Sequence, residues 1–225
     1  MKLCVLIPVK TFARAKQRLG PFLNPEEREA LAEAMFRDVL DQVASSPAVA
    51  AVTVITADGQ AARIASARGA RVFQDANEEG ESEAVAPVLV RLRRSGAPSA
   101  LVLPADIPLI RSRDLELLEK CADDCEAPEF GLLVPSSDRD GTNALLLSPP
   151  DLITPSFGRK SFSRHAALLA ARGAECRTIE NENIGLDIDK ADDLRRLLSR
   201  NVSGRTHATL LNFQRTEARW SVLGD

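Results

Sequence analysis

Three runs in this chain, Leu3–Val9, Ala51–Thr56 and Ala100–Leu103, are apolar almost throughout and lack a polar-apolar alternation. A strand with one wet face alternates; a strand apolar on successive residues must be covered on both faces. Helical patterns stand between these runs. The first opens with Asn24 as N-cap, Pro25 at the first helical position and Glu27 at the capping-box position. Its apolar residues Leu31, Ala34, Met35, Val39 and Val43 follow helical spacing. A short helix ends near Gly69, Arg71–Gln74 reads as a strand, and Glu81–Arg94 reads as a helix that Pro87 either kinks or delays. The order predicts an α/β fold, Rossmann-like, with a mostly parallel mixed sheet and helices on both faces.

The alternation continues with a helix around Arg113–Cys121 and a strand pair, Gly131–Pro135 and Ala144–Ser148, joined through "SSDRDGTN". Ser161–Arg172 is predicted helical, Cys176–Ile179 a strand and Ala191–Leu198 a helix. A length of 225 residues suits one such domain over residues 1–200. Residues 201–225 show no periodicity and are expected to form a C-terminal tail or arm.

Composition excludes several classes. A net charge of -3 argues against a nucleic-acid partner, which would call for a strongly basic face. No apolar run nears the roughly 20 residues that span a bilayer. The opening "MKLCVLIPVK" has too short an apolar part for a signal peptide and no small-residue cleavage site, so it reads as a strand. The expectation is a cytoplasmic protein with no membrane contact. Cys121 and Cys125 have a metal-like spacing, but with His165 and His207 the only histidines, reduced cysteines are the simpler reading.

Ligands of open α/β sheets bind at the carboxyl ends of the strands. Asp106 lies three residues beyond Leu103, in a turn stiffened by Pro104 and Pro108. It can hold a hard cation there, or cap the next helix. In "IGLDIDKADDL", Asp187 and Asp189 project to one side of an extended stretch and could share that cation, or Asp189 could be a helix cap. Lys10, Arg14, Lys16 and Arg18 occupy the first β-to-α loop, where this class holds phosphates; a solvated basic loop is the alternative. No glycine-rich phosphate loop is present, so side-chain cations would have to take its place. Thr142 and Asn143 follow the Asp140-Gly141 turn, Gly158 permits close backbone approach, and Ser161 is a plausible N-cap at a second anion site; a hairpin and an ordinary cap would also account for them. Cations for phosphates, carboxylates for a metal and a second anion pocket make up the layout of a nucleotidyltransferase.

Five motifs stand in a recognisable order: "IPVKTFARAKQRLGPFLNPEEREALAEAMFRDVL", "LVLPADIPL", "DGTNALLLSPP", "FGRKSFSRH" and "GLDIDKADDL". Over about residues 2–198 the chain resembles the 2-phospho-L-lactate guanylyltransferase family, the CofC-like proteins, whose fold is that of nucleotide-diphospho-sugar transferases and molybdenum-cofactor guanylyltransferases. The resemblance implies a magnesium-dependent nucleotidyltransferase domain. It would move GMP from GTP onto 2-phospho-L-lactate, phosphoenolpyruvate or 3-phospho-D-glycerate and release pyrophosphate, in coenzyme F-420 biosynthesis. By position, Asp106, Asp187 and Asp189 would hold Mg²⁺, and Lys10, Lys16, Arg18 and Gly80 would bind the nucleotide. Thr142, Gly158 and Ser161 would bind the acceptor; Asp106, Lys10 and Lys16 would be the catalytic set. GTP and a small phosphorylated acid would be the partners, with a homodimer allowed. No obligate general base is expected, and His165 is expected at the helix surface or in contact with the acceptor.

Glu81 and Ser82, after "DAN" and Gly80, depart from the leucine and asparagine of the family pattern, and Ala191 replaces a proline. A glycosyltransferase using "DID" as an Asp-x-Asp metal motif and a nucleotide-binding regulator without turnover are the rival expectations.

Overall fold

The structure, a computed structural model, describes residues 1–75, 79–200 and 203–216, with side chains to residue 214. The chain runs β1 (Leu3–Val9), α1 (Pro25–Ser45), β2 (Val49–Thr56), α2 (Gly59–Ala67), β3 (Arg71–Gln74), α3 (Glu81–Arg94), β4 (Ala100–Val102) and α4 (Ser112–Asp123). There follow β5 (Phe130–Pro135), β6 (Thr142–Ser148), α5 (Ser161–Ala171), β7 (Glu175–Thr178), α6 (Glu182–Gly185), α7 (Ala191–Leu198) and α8 (Arg205–Thr216). Two 3-10 turns, Phe12–Arg14 and Gln17–Leu19, fill the first loop.

The strands form one sheet in the order β3-β2-β1-β4-β6-β5-β7. Among the described residues only β6 runs antiparallel, against both β4 and β5. The sheet is covered on both faces, as the unbroken apolar runs require. Val5, Ile7, Leu101, Leu132 and Leu146 face one cluster with Phe36, Val39, Ile64 and Leu118. Leu6, Val102, Leu133 and Leu145 face the other with Val85, Leu89 and Leu169. Successive strand residues thus feed opposite cores.

A third cluster lies beside the sheet and joins Leu19, Leu31, Met35, Leu109, Leu186, Ile188, Leu194, Leu197, Leu210 and Phe213. Part of it comes from α8. Over Arg205–Thr216 the segment expected as a tail or arm is therefore a helix packed against α1, with Leu210 fully buried. The rest of that expectation, residues 201–202 and 217–225, lies outside the described residues.

The start of α8 explains its docking. Gly204 precedes the helix and has no side chain to cap it. Asp38, on α1, accepts hydrogen bonds from the N–H groups of Arg205 (3.0 Å) and Thr206 (2.8 Å) and from Thr206 Oγ1 (2.7 Å). A Cβ on Gly204 would lie 2.8 Å from an Asp38 oxygen, so the close approach depends on glycine. A carboxylate at a helix N-terminus meets its unpaired amides and its positive dipole end.

The crevice opens where strand order reverses. From β1 the chain goes to β2 and β3 on one side, then crosses to β4 on the other. Leu103 N–H donates to Leu6 O at 2.9 Å, and beyond that bond the two strands part. Pro8 faces the same side as Leu6, past the end of β4, so its missing N–H removes no ladder bond there.

Candidate active site

At this parting of β1 and β4 lies a cleft of about 710 Å³. Lys10, Lys16, Arg18, Gly80, Asp106, Thr142, Gly158, Ser161, Asp187 and Asp189 all line it, as does Glu81. The antiparallel β6 is why Thr142 and Asn143 belong here: its first residues lie level with the carboxyl ends of its parallel neighbours.

Lys16 is the centre of the basic side. Its Nζ donates to Asp106 Oδ2 at 2.5 Å and to Asp189 Oδ1 at 2.8 Å. Burial works against the charged lysine, but Asp106 and then Asp189 outweigh it and push the pKa to about 12. The residue holds a left-handed backbone, φ 54°, which costs a non-glycine side chain energy and is kept by the surrounding contacts. Arg18 Nη1 reaches the other Asp189 oxygen at 3.3 Å. Asp189 is accordingly drawn below the usual carboxylate range: burial raises its pKa, and Lys16, Arg18 and Lys10 more than reverse this.

The three acidic positions are fixed by backbone. Ile188 N–H donates to Asp106 O at 3.0 Å, tying the turn after β4 to the segment before α7. Leu186 and Ile188 bury in the third cluster, so Asp187 and Asp189 turn toward the cleft. Asp189 is not the helix cap: Lys190 holds that place, and Asp193 accepts from the N–H groups of Asp189 (3.0 Å) and Lys190 (2.8 Å). Asp187 accepts from Asn143 Nδ2 at 3.0 Å, while the same amide donates to Ile184 O at 2.9 Å. Burial, then the nearby Asp106, raises the Asp187 pKa against the pull of Asn143.

These carboxylates suit a hard divalent cation in two respects. Asp106 Oδ1 is buried and has no hydrogen-bond partner among the described residues. Asp187 is close enough to Asp106 to feel its charge. Hard oxygen donors are what Mg²⁺ takes. Asp189, engaged by Lys16 and Arg18, has lone pairs left for a third ligand bond. Among the described residues no group of three or more acidic, histidine or cysteine side chains converges as a ready metal cage. Lys16 occupies the space between Asp106 and Asp189.

The residues expected at a second anion pocket line the same cleft. Gly158 has φ 98°, a conformation that asks for glycine. Lys160, in a left-handed conformation (φ 55°), precedes α5 and takes the cap position expected of Ser161. Ser161 is buried at the first helical position, where its N–H donates to Gly158 O at 3.0 Å and that of Phe162 to Asp140 O at 3.4 Å. His165 is not at the helix surface. It is fully buried and bonded to Thr142 Oγ1 at 2.9 Å through Nδ1, while its Nε2 accepts from Ser156 N–H at 2.8 Å.

The site also contains residues the sequence reading did not commit to. Asn143 positions Asp187; its place beside Thr142 at the start of an apolar strand was the available signal. Glu81 opens α3 and faces Asp106 and Lys10. Burial and the Asp106 charge raise its pKa to about 7 against the pull of Lys10. Ser82 accepts from Phe157 N–H at 2.8 Å and so steadies the loop that carries Gly158. Of the preceding "DAN", Ala76 and Asn77 lie outside the described residues. Of the cysteine pair, Cys125 lies beyond the end of α4 and its thiol donates to Cys121 O.

The α/β fold is shared with solved structures described as a nucleotide-diphospho-sugar transferase and as a diphosphocytidyl-methylerythritol synthase. A solved structure described as a nucleotide-diphospho-sugar transferase from Desulfovibrio desulfuricans superposes with a TM-score of 0.74 over 96% of both chains, at 18% identity. A 4-diphosphocytidyl-2C-methyl-D-erythritol synthase gives a TM-score of 0.60 over 88% of this chain and 98% of that one, at 20% identity. The chain belongs to the CofC-like guanylyltransferase family, described as "Guanylyl transferase CofC like", which matches residues 3–214. The match thus extends through most of α8, beyond the last of the sequence motifs.

Similar proteins carry three acceptor names. A phosphoenolpyruvate guanylyltransferase of Conexibacter woesei is 37% identical over 92% of this chain and 93% of its own. A 3-phospho-D-glycerate guanylyltransferase of Phenylobacterium zucineum is 32% identical over 96% and 97%. A 2-phospho-L-lactate guanylyltransferase of Methanothermobacter thermautotrophicus is 33% identical over 86% and 83%. Among the described residues no helix is long and apolar enough to cross a membrane.

Proposed function

We propose that this protein transfers GMP from GTP to a small phosphorylated three-carbon acid and releases pyrophosphate, as a step in coenzyme F-420 biosynthesis. The observation that carries this reading is a single cleft with a basic side and a polar side. Lys16, clamped by Asp106 and Asp189, stands at one, and Thr142, Gly158 and Ser161 stand at the other. The names of the relatives support guanylyl transfer and favour phosphoenolpyruvate, 2-phospho-L-lactate or 3-phospho-D-glycerate as the acceptor.

An acceptor phosphate oxygen attacks the α-phosphorus of GTP. The new P–O bond forms as the bond to the β-phosphate bridging oxygen breaks, and that oxygen leaves with pyrophosphate. The acceptor phosphate is ionised at neutral pH, so no side chain needs to remove a proton. Lys16, Lys10 and Arg18 neutralise the triphosphate and the leaving group. Thr142, Gly158 and Ser161 hold the acceptor against the α-phosphorus, which removes most of the entropic barrier. Asp106 and Asp187, joined by Asp189, would hold Mg²⁺, which supplies further charge neutralisation.

The test incubates the protein with Mg²⁺, each of the four nucleoside triphosphates and each of the three acids, following pyrophosphate release and product mass. GTP with one or more of these acids should yield a guanosine diphosphate-linked acid. Binding of GTP with no pyrophosphate release in any mixture would instead support a regulator.

A further inference from the structure

His165 is bonded at both ring nitrogens and buried completely. One of these bonds has a fixed direction. The Ser156 N–H can only donate, so Nε2 carries no proton. A neutral ring must then carry its proton on Nδ1, and Nδ1–H donates to Thr142 Oγ1. The surroundings keep the ring neutral: burial, then the charge of Arg164, lowers its pKa to about 4. The edge of a neighbouring ring also helps fix its plane, since Phe157 meets it at 74° with centroids 5.0 Å apart.

The consequence falls on Thr142. A hydroxyl that accepts from His165 keeps its own hydrogen to give away, and Thr142 lines the cleft. In the opposite tautomer the hydroxyl would donate to Nδ1 and offer only lone pairs to the cleft, which repel a phosphate or carboxylate oxygen. The Ser156 amide, the imidazole and the threonine hydroxyl form a chain of donors with one direction.

We propose that His165 is a positioning residue of the anion pocket, a neutral Nδ1–H imidazole that passes the polarity of the Ser156 amide to Thr142 and makes its hydroxyl a donor to the acceptor's oxyanion. This rests on the reading of that pocket as the acceptor subsite. The ring also joins the pocket's two sides, the start of β6 and the loop before Gly158. Ser82 fixes the next amide of that loop, that of Phe157.

The first measurement needs no activity. With two histidines in the chain, ring ¹⁵N spectra of wild type and of a His165→Asn control assign the buried ring directly. A neutral ring protonated at Nδ1 from pH 6 to 8 is expected. A proton on Nε2, or an imidazolium at pH 7, overturns the proposal.

The second measurement titrates phosphoenolpyruvate with Mg²⁺ into variants whose fold is checked by melting. Gln at position 165 can place a carbonyl near Nε2 for Ser156 but offers no donor to Thr142. Asn keeps a donor near Nδ1 and gives up the Ser156 bond. His165→Gln should weaken binding about tenfold or more, the range of one hydrogen bond to a charged group, while GTP binding changes less than about twofold. His165→Asn should retain more of the affinity. Thr142→Val should cost as much as His165→Gln, and the double variant little more than either alone. Multiplying losses in the double variant, or equal losses of GTP and phosphoenolpyruvate affinity, would refute the polarity role. Should the protein bind phosphoenolpyruvate in this pattern yet release no pyrophosphate, the transferase reading falls and the role of His165 stands.

Discussion

Lys16 joins three segments distant in sequence: its own loop, the turn after β4 and the stretch before α7. Its side chain is 7% exposed, against 27% for Asp106 and 36% for Asp189, so solvent moderates the pairing. Lys16→Met should therefore cost roughly 1–3 kcal/mol of stability, less than a fully buried pair, as denaturant melts can show. The same variant should lose GTP affinity, measured by titration, because two carboxylates then face the triphosphate without their cation. Asp106→Asn keeps the shape and removes a charge. Turnover should drop by two or more orders of magnitude with the melting temperature little changed; wild-type turnover would remove Asp106 from the machinery.

Glu81 gives the pH dependence. Its pKa is about 7 in the folded protein against 4.5 for the free side chain, so the fold binds this proton more tightly than the unfolded chain does. Stability then falls as pH rises from about 4.5 to about 7, and the penalty is complete above pH 7. Glu81→Gln removes the ionisable group. Melts in chelator should show the variant more stable than wild type at pH 8, by up to roughly 2–3 kcal/mol, and no gain near pH 4.5. A gain that is the same at both pH values would mean that Glu81 is not held as a raised carboxyl.

Among the elements, α8 departs furthest from its sequence reading. Its anchor was nonetheless visible as an anomaly: Asp38 lies seven residues after Leu31 and three after Met35, on the apolar stripe of α1. A carboxylate on such a stripe needs donors, and they come from the first turn of α8. Asp38→Asn should destabilise the protein by roughly 2–4 kcal/mol, since the substitution places an amide among several donors. Thr206→Ala, which loses one hydroxyl bond, should cost about 1 kcal/mol, so the order of the two variants in denaturant melts tests the capping geometry. The first helix was legible in finer detail, with Asn24 and Glu27 forming the capping box and Pro25 at the first helical position as read. Those signals are local, within four residues, whereas the cap of α8 arrives from a carboxylate 167 residues earlier.

On the scale of the whole molecule, the third hydrophobic cluster connects the site's loops to the C-terminal helix. Leu19 follows Arg18, Leu109 follows the Asp106 turn, and Leu186 and Ile188 interleave with the two aspartates; all pack in the cluster that Leu210 and Phe213 of α8 help close. Ending the chain after residue 200 should therefore lower turnover as well as the melting temperature, although no described side chain of α8 lines the cleft. Steady-state kinetics at a temperature where the shortened protein is still folded separates the two effects. Unchanged turnover there would show that the loops hold their places without the helix. GTP with Mg²⁺ at 100 times its dissociation constant should stabilise the full chain by about 2.7 kcal/mol, and more than GTP in chelator at the same concentration, if the carboxylates take a cation.

The sequence by itself determined the alternation of strands and helices, a mostly parallel sheet and many of the residues around the cleft. Unbroken apolar runs demand cover on both faces, helical spacing and caps are short-range signals, and the carboxyl ends of strands indicate where loop residues such as Lys16 and Asp106 gather. Only the tertiary structure decided how those residues use one another. Whether Asp189 caps a helix or grips a lysine depends on Lys16 arriving from 173 residues away. Whether His165 lies at a surface or directs a threonine depends on Thr142 and Ser156 closing around it. A hydrogen bond is fixed by distance and direction between groups that sequence leaves far apart, so its partners and polarity appear only once the chain has folded.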